Sequence, residues 1–271
     1  MEKVGLIAGV GNLPVEFVRA AHQLGHSVVV IAVVPDVTPE LADEADVYYE
    51  INVAKLNKII KTMKREGVSK VTLIGKVTKE LLFKGLKFPD LRMLKVIAKL
   101  RNRKDDTIMV TLVNELAADG IEVVDQTLYL KPLMPSCGVF TRRQPTEKEE
   151  NDIRFGFATA KAMGGMDIGQ TVVVKRQAVM AVEAIEGTDA CIRRGGALGR
   201  GESVVVKVAK PNQDVRFDVP AVGLATLQAM LDSGCNVLAI EAGRTLFVEQ
   251  QLVLDLANAH GICICAVDKN F

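Results

Sequence analysis

The chain has 271 residues, of which 49% are hydrophobic and 25% charged, a composition typical of a globular protein with material for one or two cores. Its 34 Lys and Arg against 33 Asp and Glu leave a formal net charge of +1. This balance removes the usual electrostatic reason to expect a nucleic-acid partner, although it permits a local basic pocket for an anionic ligand.

The first residues, MEKVGLIAG, lack a signal-peptide pattern, and the longest apolar stretch, residues 27–35, is too short to span a bilayer. We therefore expect a cytoplasmic protein. Five scattered cysteines argue against a disulfide framework, and Cys263 and Cys265 alternate in an apolar run typical of a buried strand. The three histidines have no partners at ligand spacing, which argues against zinc.

Apolar runs and helical periodicities alternate through the first half of the chain. Residues 3–8 form an apolar run that enters a glycine turn, residues 13–24 show helical periodicity, and residues 27–34 form a second apolar run. This β-α-β order favours a parallel sheet with a right-handed crossover. The later predicted elements are strands at 47–51, 71–74 and 121–124 and helices at 53–66, 91–100 and 106–119. We predict an open, doubly wound, Rossmann-like α/β domain over residues 1–131.

Prolines at positions 132, 135 and 145 interrupt the periodicity, so we place a linker at residues 132–145 and a second α/β domain at residues 146–271. A helix opens at residues 146–150 and is expected to stop at Gly164 and Gly165. The other predicted elements are a hairpin with strands 171–174 and 178–185, strands at 204–209, 237–241 and 262–267, and helices at 221–232 and 247–260.

The glycine turn after the first strand has two interpretations. Gly9 and Gly11 match the start of a G-x-G-x-x-G dinucleotide motif, but the third position is Pro14, which disfavours NAD. With Asn12, the turn can bind a phosphate or a sugar hydroxyl at the helix start, or it can simply connect a strand to a helix. Lys76, at the end of a strand, can pair with a phosphate or be a surface lysine.

Acidic residues cluster after a predicted strand of the second half. Glu183 lies within an apolar run, where a carboxylate is costly to bury unless it is paired or bound to a cation. With Glu186, Thr188 and Asp189 it offers hard oxygen ligands for Mg²⁺. The alternative is that Thr188 or Asp189 caps the following helix.

The densest group of charges lies in residues 207–223. Lys207 occupies a strand expected to be buried, and the polar residues that follow are Lys210, Gln213, Asp214, Arg216 and Asp218. Cations neutralise phosphate and carboxylates hold metal or activate water, and phosphoryl chemistry needs both. This segment is therefore the leading candidate site. The alternative for Asp218 is the N-cap of a helix beginning near Pro220, and Glu241 is a further candidate carboxylate.

These segments carry a family resemblance. The chain resembles the LpxI-type UDP-2,3-diacylglucosamine pyrophosphatases of lipid A biosynthesis. The matching stretches are GLIAGVGNLP (5–14), RKDDTIM (103–109), VVDQTLYLKPLMPSCGVFT (123–141), DIGQTVVVKRQAVMAVEAIEGTDACIRR (167–194), VVKVAKPNQDVRFDVPAVG (205–223) and AIEAGRTL (239–246). They span nearly the whole chain in order, and their combination is specific.

The resemblance implies a nucleotide-linked lipid bound in a cleft between the two domains, and Mg²⁺-dependent hydrolysis of UDP-2,3-diacylglucosamine to UMP and 2,3-diacylglucosamine 1-phosphate. Asp218 matches the important aspartate of the family's D-x-P-x-x-G segment. A lipid substrate implies transient contact with the inner-membrane surface, and a homodimer is left open.

The charges and the resemblance together give a hypothesis for the roles. Asp218, Asp214 and Glu183 are candidate Mg²⁺ ligands, Asp218, Asp214 and Lys207 are the candidate catalytic residues, and Lys210 and Lys175 stabilise charge with Lys207. The candidate substrate-binding residues are Gly9, Gly11, Asn12, Lys76, Lys175, Thr188, Asp189, Lys210, Gln213 and Gly223. The rival functions are a nicotinamide-dependent oxidoreductase and a non-catalytic nucleotide- or lipid-binding protein.

Overall fold

A computed structural model of the chain describes residues 2–77, 88–100 and 105–271, without the side chains of residues 105 and 106. The start of the matching stretch 103–109 lies outside these residues. Two compact units are present: unit 1 comprises Met1–Leu130 and Val215–Phe217, and unit 2 comprises Lys131–Asp214 and Asp218–Phe271. Within the described residues, no helix is both long and apolar enough to cross a membrane.

Unit 1 contains a five-stranded sheet in the order β3-β2-β1-β4-β5, and every pair is parallel. Its strands are β1 (Lys3–Ala8), β2 (Ser27–Ala32), β3 (Val47–Glu50), β4 (Lys70–Ile74) and β5 (Glu122–Val123). This is the strand order of a doubly wound domain, which brings the carboxyl ends of the strands to one edge. The predicted Rossmann-like parallel sheet is confirmed.

The helices of unit 1 follow the predicted periodicity. They are α1 (Leu13–Gln23), α2 (Glu40–Glu44), α3 (Leu56–Arg65), α4 (Leu91–Lys99), α5 (Asp105–Ala117) and α6 (Thr127–Leu130). Pro14 lies in the first turn of α1, as predicted. Helix α3 begins three residues later than predicted because Asn52 forms a turn, in which its side chain accepts a hydrogen bond from the Ala54 N–H.

Unit 2 contains a mixed six-stranded sheet in the order β6-β13-β11-β9-β7-β8 and a two-stranded parallel pair, β10-β12. The strands are β6 (Gly138–Val139), β7 (Thr171–Lys175), β8 (Ala178–Val182), β9 (Ser203–Lys207), β10 (Ala221–Val222), β11 (Cys235–Glu241), β12 (Leu246–Phe247) and β13 (Cys263–Val267). Strands β9, β11 and β13 are parallel, whereas β7 is antiparallel to both β8 and β9.

The helices of unit 2 partly depart from the prediction. After a 3₁₀ turn (Lys131–Leu133) they are α7 (Glu147–Gly165), α8 (Thr188–Gly199), α9 (Leu224–Ser233) and α10 (Gln250–Ala259). Helix α7 ends at Gly165, the second of the two glycines expected to stop it. The starts predicted for the last two helices are wrong, because residues 221–222 and 246–247 pair as short strands.

Both faces of the unit 2 sheet are covered. One face, which includes Val205 and Leu238, packs against α8, α9 and α10, and the other packs against Ile153 and Met163 of α7. Cys263 and Cys265 are buried in the second cluster, which confirms that they act as small core residues. The sheet is therefore a rigid base for the groups that leave its edge.

Candidate active site

Gly9, which follows β1, lies against the backbone of Gly75 and Lys76, which follow β4. A Cβ atom on Gly9 would lie 2.6 Å from the carbonyl oxygen of Lys76, and one on Gly75 would lie 2.6 Å from the carbonyl carbon of Gly9. Val10 and Lys76 also exchange two backbone hydrogen bonds of 2.9 Å. This close approach explains the glycine at position 9 without a ligand. Its role in substrate binding stays a prediction.

The start of α1 departs from a dinucleotide-binding turn at position 14. Asn12 is the N-cap residue, and its carbonyl already accepts the Val15 N–H at 3.0 Å. Pro14 lacks an N–H group, so the residue in place of the third motif glycine also removes a donor. Thr38 Oγ1 lies 3.0 Å from the Gly11 carbonyl and 3.1 Å from Asn12 Oδ1. The proline in place of the third motif glycine weakens the oxidoreductase interpretation.

An apolar cavity of about 230 Å³ lies beside this turn in unit 1. Gly9 and Gly75 form part of its wall, and aliphatic or aromatic side chains such as Leu56, Met93 and Phe217 form much of the rest. Sequence reasoning missed the cavity because its lining residues come from distant parts of the chain.

Lys76 lies next to Gly75, and its backbone is held by Val10. Its side chain has no hydrogen bond or ion pair within the described part of the chain, so its ammonium group can meet an anion.

In unit 2, polar residues gather at one edge of the six-stranded sheet. The register pairs Thr171 at the start of β7 with Lys207 at the end of β9, and Lys207 with Ile240 next to Glu241 at the end of β11. The N–H of Glu183 donates to the Thr171 carbonyl at 2.8 Å, so the carboxylate that follows β8 reaches the same edge. The structure therefore brings together Glu183, Lys207 and Glu241.

A chain of hydrogen bonds links the two buried charges of this edge. Lys207 Nζ donates to Thr188 Oγ1 at 3.1 Å and to the Ala221 carbonyl at 2.8 Å, and Thr188 Oγ1 donates to Glu183 Oε1 at 2.9 Å. The Gln170 N–H lies 3.4 Å from Glu183 Oε2. Thr188 thus connects a cation to a carboxylate, which offsets the cost of burying both.

Two side chains near this edge, Cys191 and Glu186, are poor candidates for catalytic roles. Burial raises the pKa of Cys191 to about 12, so its thiol stays protonated and is a poor nucleophile near neutral pH. A hydrogen bond from Arg194 lowers the pKa of Glu186 and engages that carboxylate.

The N-cap residue of α8 is Gly187, so the predicted capping role of Thr188 or Asp189 is wrong. Asp189 lies in the first turn of the helix.

The segment after β9 is folded by its own polar side chains. Gln213 Oε1 accepts the Lys210 N–H at 2.9 Å, and Gln213 Nε2 donates to Gln170 Oε1 at 3.2 Å. Lys210 Nζ forms a 2.7 Å ion pair with Asp167, whose side chain is 54% exposed. Gln213 therefore fixes the backbone of Lys210, while Asp167, one partner of the Lys210 ammonium group, is accessible to solvent.

Asp214 and Asp218 belong to one turn, because the Asp218 N–H donates to the Asp214 carbonyl at 2.9 Å. The interpretation of Asp218 as a helix N-cap is wrong: α9 begins at Leu224, and its N-cap is Gly223.

The two aspartates fit Mg²⁺ in donor chemistry and in sharing a turn. Glu183 is already engaged by Thr188 and Gln170. Across residues 2–77, 88–100 and 105–271, no three His, Cys, Asp or Glu side chains form a metal-binding group. Magnesium therefore stays a prediction.

Lys175 does not join these residues. It ends β7, and the antiparallel register that pairs Thr171 with Lys207 puts Lys175 at the opposite edge of the sheet. Its Nζ donates to the carbonyls of Gly199 and Gly201 at 2.9 Å each. The prediction that Lys175 stabilises charge together with Lys207 and Lys210 is therefore wrong.

Sequence reasoning missed Lys161. Its Nζ lies 2.8 Å from both carboxylate oxygens of Glu241 and 2.8 Å from the Ala209 carbonyl. The signal was available, because Lys161 follows Phe157 and Ile153 on the apolar face of α7 at helical spacing. Glu241 is therefore held by a cation of the protein.

Comparison with known proteins covers both units. The family model described as LpxI N-terminal domain matches residues 3–133, and the one described as LpxI C-terminal domain matches residues 136–265. A relative from Caulobacter vibrioides, named UDP-2,3-diacylglucosamine pyrophosphatase LpxI, is 32% identical over 281 aligned residues, which cover 99% of this chain and 98% of the relative.

Solved structures give only weak likenesses. A GalE-like L-threonine dehydrogenase from Cupriavidus necator is 16% identical with a TM-score of 0.29, over 44% of this chain and 35% of that chain. The biotin carboxylase subunit of a pyruvate carboxylase is 15% identical with a TM-score of 0.28, over 68% of this chain and 36% of that chain. The chain spans about a third of each, and neither likeness bears on function.

Proposed function

Because the chain belongs to the LpxI family over both of its domains, we propose that it hydrolyses the pyrophosphate bond of UDP-2,3-diacylglucosamine in lipid A biosynthesis, with Mg²⁺, to give UMP and 2,3-diacylglucosamine 1-phosphate. The observation that carries the proposal is the 32% identity to the Caulobacter pyrophosphatase along 99% of the chain. That span includes both the charged edge of unit 2 and the apolar cavity of unit 1.

The charged edge supplies the groups that the reaction needs. Lys210 can exchange its accessible partner Asp167 for a phosphate oxygen, because an exposed ion pair contributes little stability. Lys207 is held in place by Thr188 and the Ala221 carbonyl, so its positive charge contributes a fixed potential at the edge.

Asp214 and Asp218 are the residues that would hold Mg²⁺, which when bound neutralises pyrophosphate charge. A carboxylate of this turn would also orient the attacking water and accept its proton.

The apolar cavity of unit 1 gives the lipid part of the substrate a place to bind. Each methylene group moved there from water contributes about 0.8 kcal/mol. Gly9 lies in the cavity wall, so a lipid bound there would carry its polar end towards the glycine turn. Leu112→Trp fills this cavity, and we expect it to lower kcat/KM for the diacylated substrate. The same change at the exposed Leu128 is the matched control. Equal activity of the two variants would remove the cavity from the proposal.

Asp218→Ala tests the chemical assignment. We expect turnover of the diacylated UDP-sugar to fall by about 10³-fold or more, because an essential charged group is lost. Asp232→Ala is the control, since Asp232 lies on α9 and forms an exposed ion pair with Arg193. Circular dichroism checks the folding of both variants. Near-normal turnover by folded Asp218→Ala would remove Asp218 from the mechanism.

Contact with the membrane surface is part of the same proposal, because the substrate is a lipid. We expect it to be brief, since the chain has no tryptophan and few aromatic anchors. Flotation with anionic vesicles, with and without substrate lipid, tests this: stable co-flotation without substrate would contradict brief contact.

A further inference from the structure

The ion pair between Lys161 and Glu241 binds both backbone polar groups of one residue, Ala209. Glu241 Oε2 accepts the Ala209 N–H at 2.8 Å, and Lys161 Nζ donates to the Ala209 carbonyl at 2.8 Å while contacting both oxygens of Glu241. Glu241 is 7% exposed and Ala209 is 2% exposed, so the bond between them is shielded from water, whereas the Lys161 side chain is 26% exposed. Both backbone groups of Ala209 are therefore satisfied by one pair of opposite charges.

Ala209 is the point where the chain leaves the sheet. It follows β9 by two residues and precedes Lys210, whose own N–H is held by Gln213. Hydrogen bonds to charged groups are roughly twice as strong as neutral ones, so the start of the segment is firmly fixed. The far end is fixed separately, because Lys207 Nζ donates to the Ala221 carbonyl at 2.8 Å.

The pair comes from elements remote in sequence. Lys161 lies on α7, and Glu241 ends β11. They meet at Ala209, two residues after β9, where a shift of the backbone would displace Lys210 and the residues that follow it. Displacing a reacting or binding group by about 1 Å can reduce a rate by roughly 10²-fold.

We propose that Lys161 and Glu241 are positioning residues, which fix the chain at Ala209 so that segment 210–218 presents its lysine and aspartates to the substrate. This inference rests on the proposed function for its kinetic consequences, whereas its structural content stands on the four contacts alone. The pair touches the backbone of the segment, and its role is to hold that backbone.

Glu241→Gln is a sharp test because it keeps the size of the side chain. The Gln amide replaces one carboxylate oxygen with an NH₂ group, so Lys161 loses one of its two acceptor oxygens and the negative charge that pairs with it. The double variant Lys161→Met/Glu241→Gln differs: the amide oxygen can accept the Ala209 N–H, and its NH₂ group can donate to the Ala209 carbonyl in place of the lysine. The double variant should therefore be more active than Lys161→Met alone.

Asp152→Asn is the matched control. Asp152 is also a buried carboxylate, 6% exposed, and it accepts two backbone N–H groups, from Arg176 and Gln177. Those residues form the β7-β8 turn at the opposite edge of the sheet. A general loss of stability would lower the activity of both variants, whereas a loss of positioning would lower the activity of Glu241→Gln alone.

Two readouts on the full-length protein decide the matter. Hydrogen exchange followed by mass spectrometry should show peptides over 205–214 exchanging about 10-fold faster in Glu241→Gln and unchanged in Asp152→Asn. With the diacylated UDP-sugar, kcat/KM should fall about 10- to 100-fold in Glu241→Gln and less than about threefold in Asp152→Asn at equal loss of Tm.

Unchanged exchange at 205–214, or equal kinetic losses in the two variants, would overturn the inference. A double variant no better than Lys161→Met would also overturn it. Exchange needs no substrate, so a wild-type protein inactive on this substrate would refute the proposed function and leave the exchange result to judge the positioning role.

Discussion

Replacing Lys207 with methionine keeps a long side chain at a buried position and removes its ammonium group. Lys207 is 6% exposed and donates to Thr188 Oγ1 and to the Ala221 carbonyl, so that carbonyl loses this donor. The change also removes the cation that Thr188 links to Glu183, a carboxylate in a residue only 8% exposed.

The structure sets the size of the effect. A buried group that loses its hydrogen-bond partner costs about 1–3 kcal/mol. The two hydrogen bonds through Thr188 put the opposite charges at most about 6 Å apart, where they attract by roughly 3 kcal/mol at an effective dielectric constant of about 20. We therefore expect Lys207→Met to lower the free energy of unfolding by about 3–5 kcal/mol, as for other broken buried ion pairs.

Urea unfolding followed by circular dichroism measures this loss, and a double-mutant cycle identifies its cause. Adding Glu183→Gln to Lys207→Met removes the stranded charge, so the double variant should regain at least about 1 kcal/mol. Arg193→Met is the control, because its ion pair with Asp232 is about half exposed and should contribute less than about 1 kcal/mol. A Lys207→Met loss below about 1 kcal/mol, or strictly additive losses, would refute the linkage.

Three other predictions follow from the described contacts. Gly9→Ala should destabilise the protein by about 1–3 kcal/mol, because its Cβ would lie 2.6 Å from the Lys76 carbonyl oxygen. An unchanged Tm would contradict this close contact between the two backbone segments. A hydrogen bond from the Val28 N–H lowers the pKa of Asp46, so this carboxylate adds stability at neutral pH that is lost as the pH falls below about 4. Asp46→Asn should therefore have a lower free energy of unfolding in urea than the parent protein at pH 7, with a much smaller difference at pH 3. An equal difference at both pH values would contradict the lowered pKa of Asp46. Of the five cysteines, Cys137 alone is exposed, so iodoacetamide at pH 8 should label only that residue in the folded protein, as judged by peptide mass spectrometry.

The sequence predicted the fold where elements are long enough to show a period. Runs such as 3–8 and 27–34, separated by a helical period, were sufficient for the parallel sheet of unit 1. Strands β10 and β12 have two residues each, which is too short for any period. Their pairing depends on Ala221 meeting Leu246 across the chain, so the prediction extended the neighbouring helices through them.

The sequence could indicate candidate site residues only where they are adjacent in the chain. The charges of 207–218 stood out locally, and the structure folds 210–218 into connected turns. Lys161 was missed because its partner Glu241 is 80 residues away. Lys175 was misplaced because the antiparallel pairing of β7 with β9, which puts it at the end of the sheet opposite Lys207, is not encoded by any local pattern.

The central claim is that this chain cleaves a diacylated UDP-sugar, and product analysis tests it most directly. Purified protein is incubated with UDP-2,3-diacylglucosamine and Mg²⁺ in H₂¹⁸O, with unacylated UDP-glucosamine in parallel, and the products are followed by ³¹P NMR and mass spectrometry. We predict UMP and 2,3-diacylglucosamine 1-phosphate, with one ¹⁸O in one of the two products, and much slower cleavage of the unacylated compound. Recovery of intact UDP-2,3-diacylglucosamine after prolonged incubation would contradict the account.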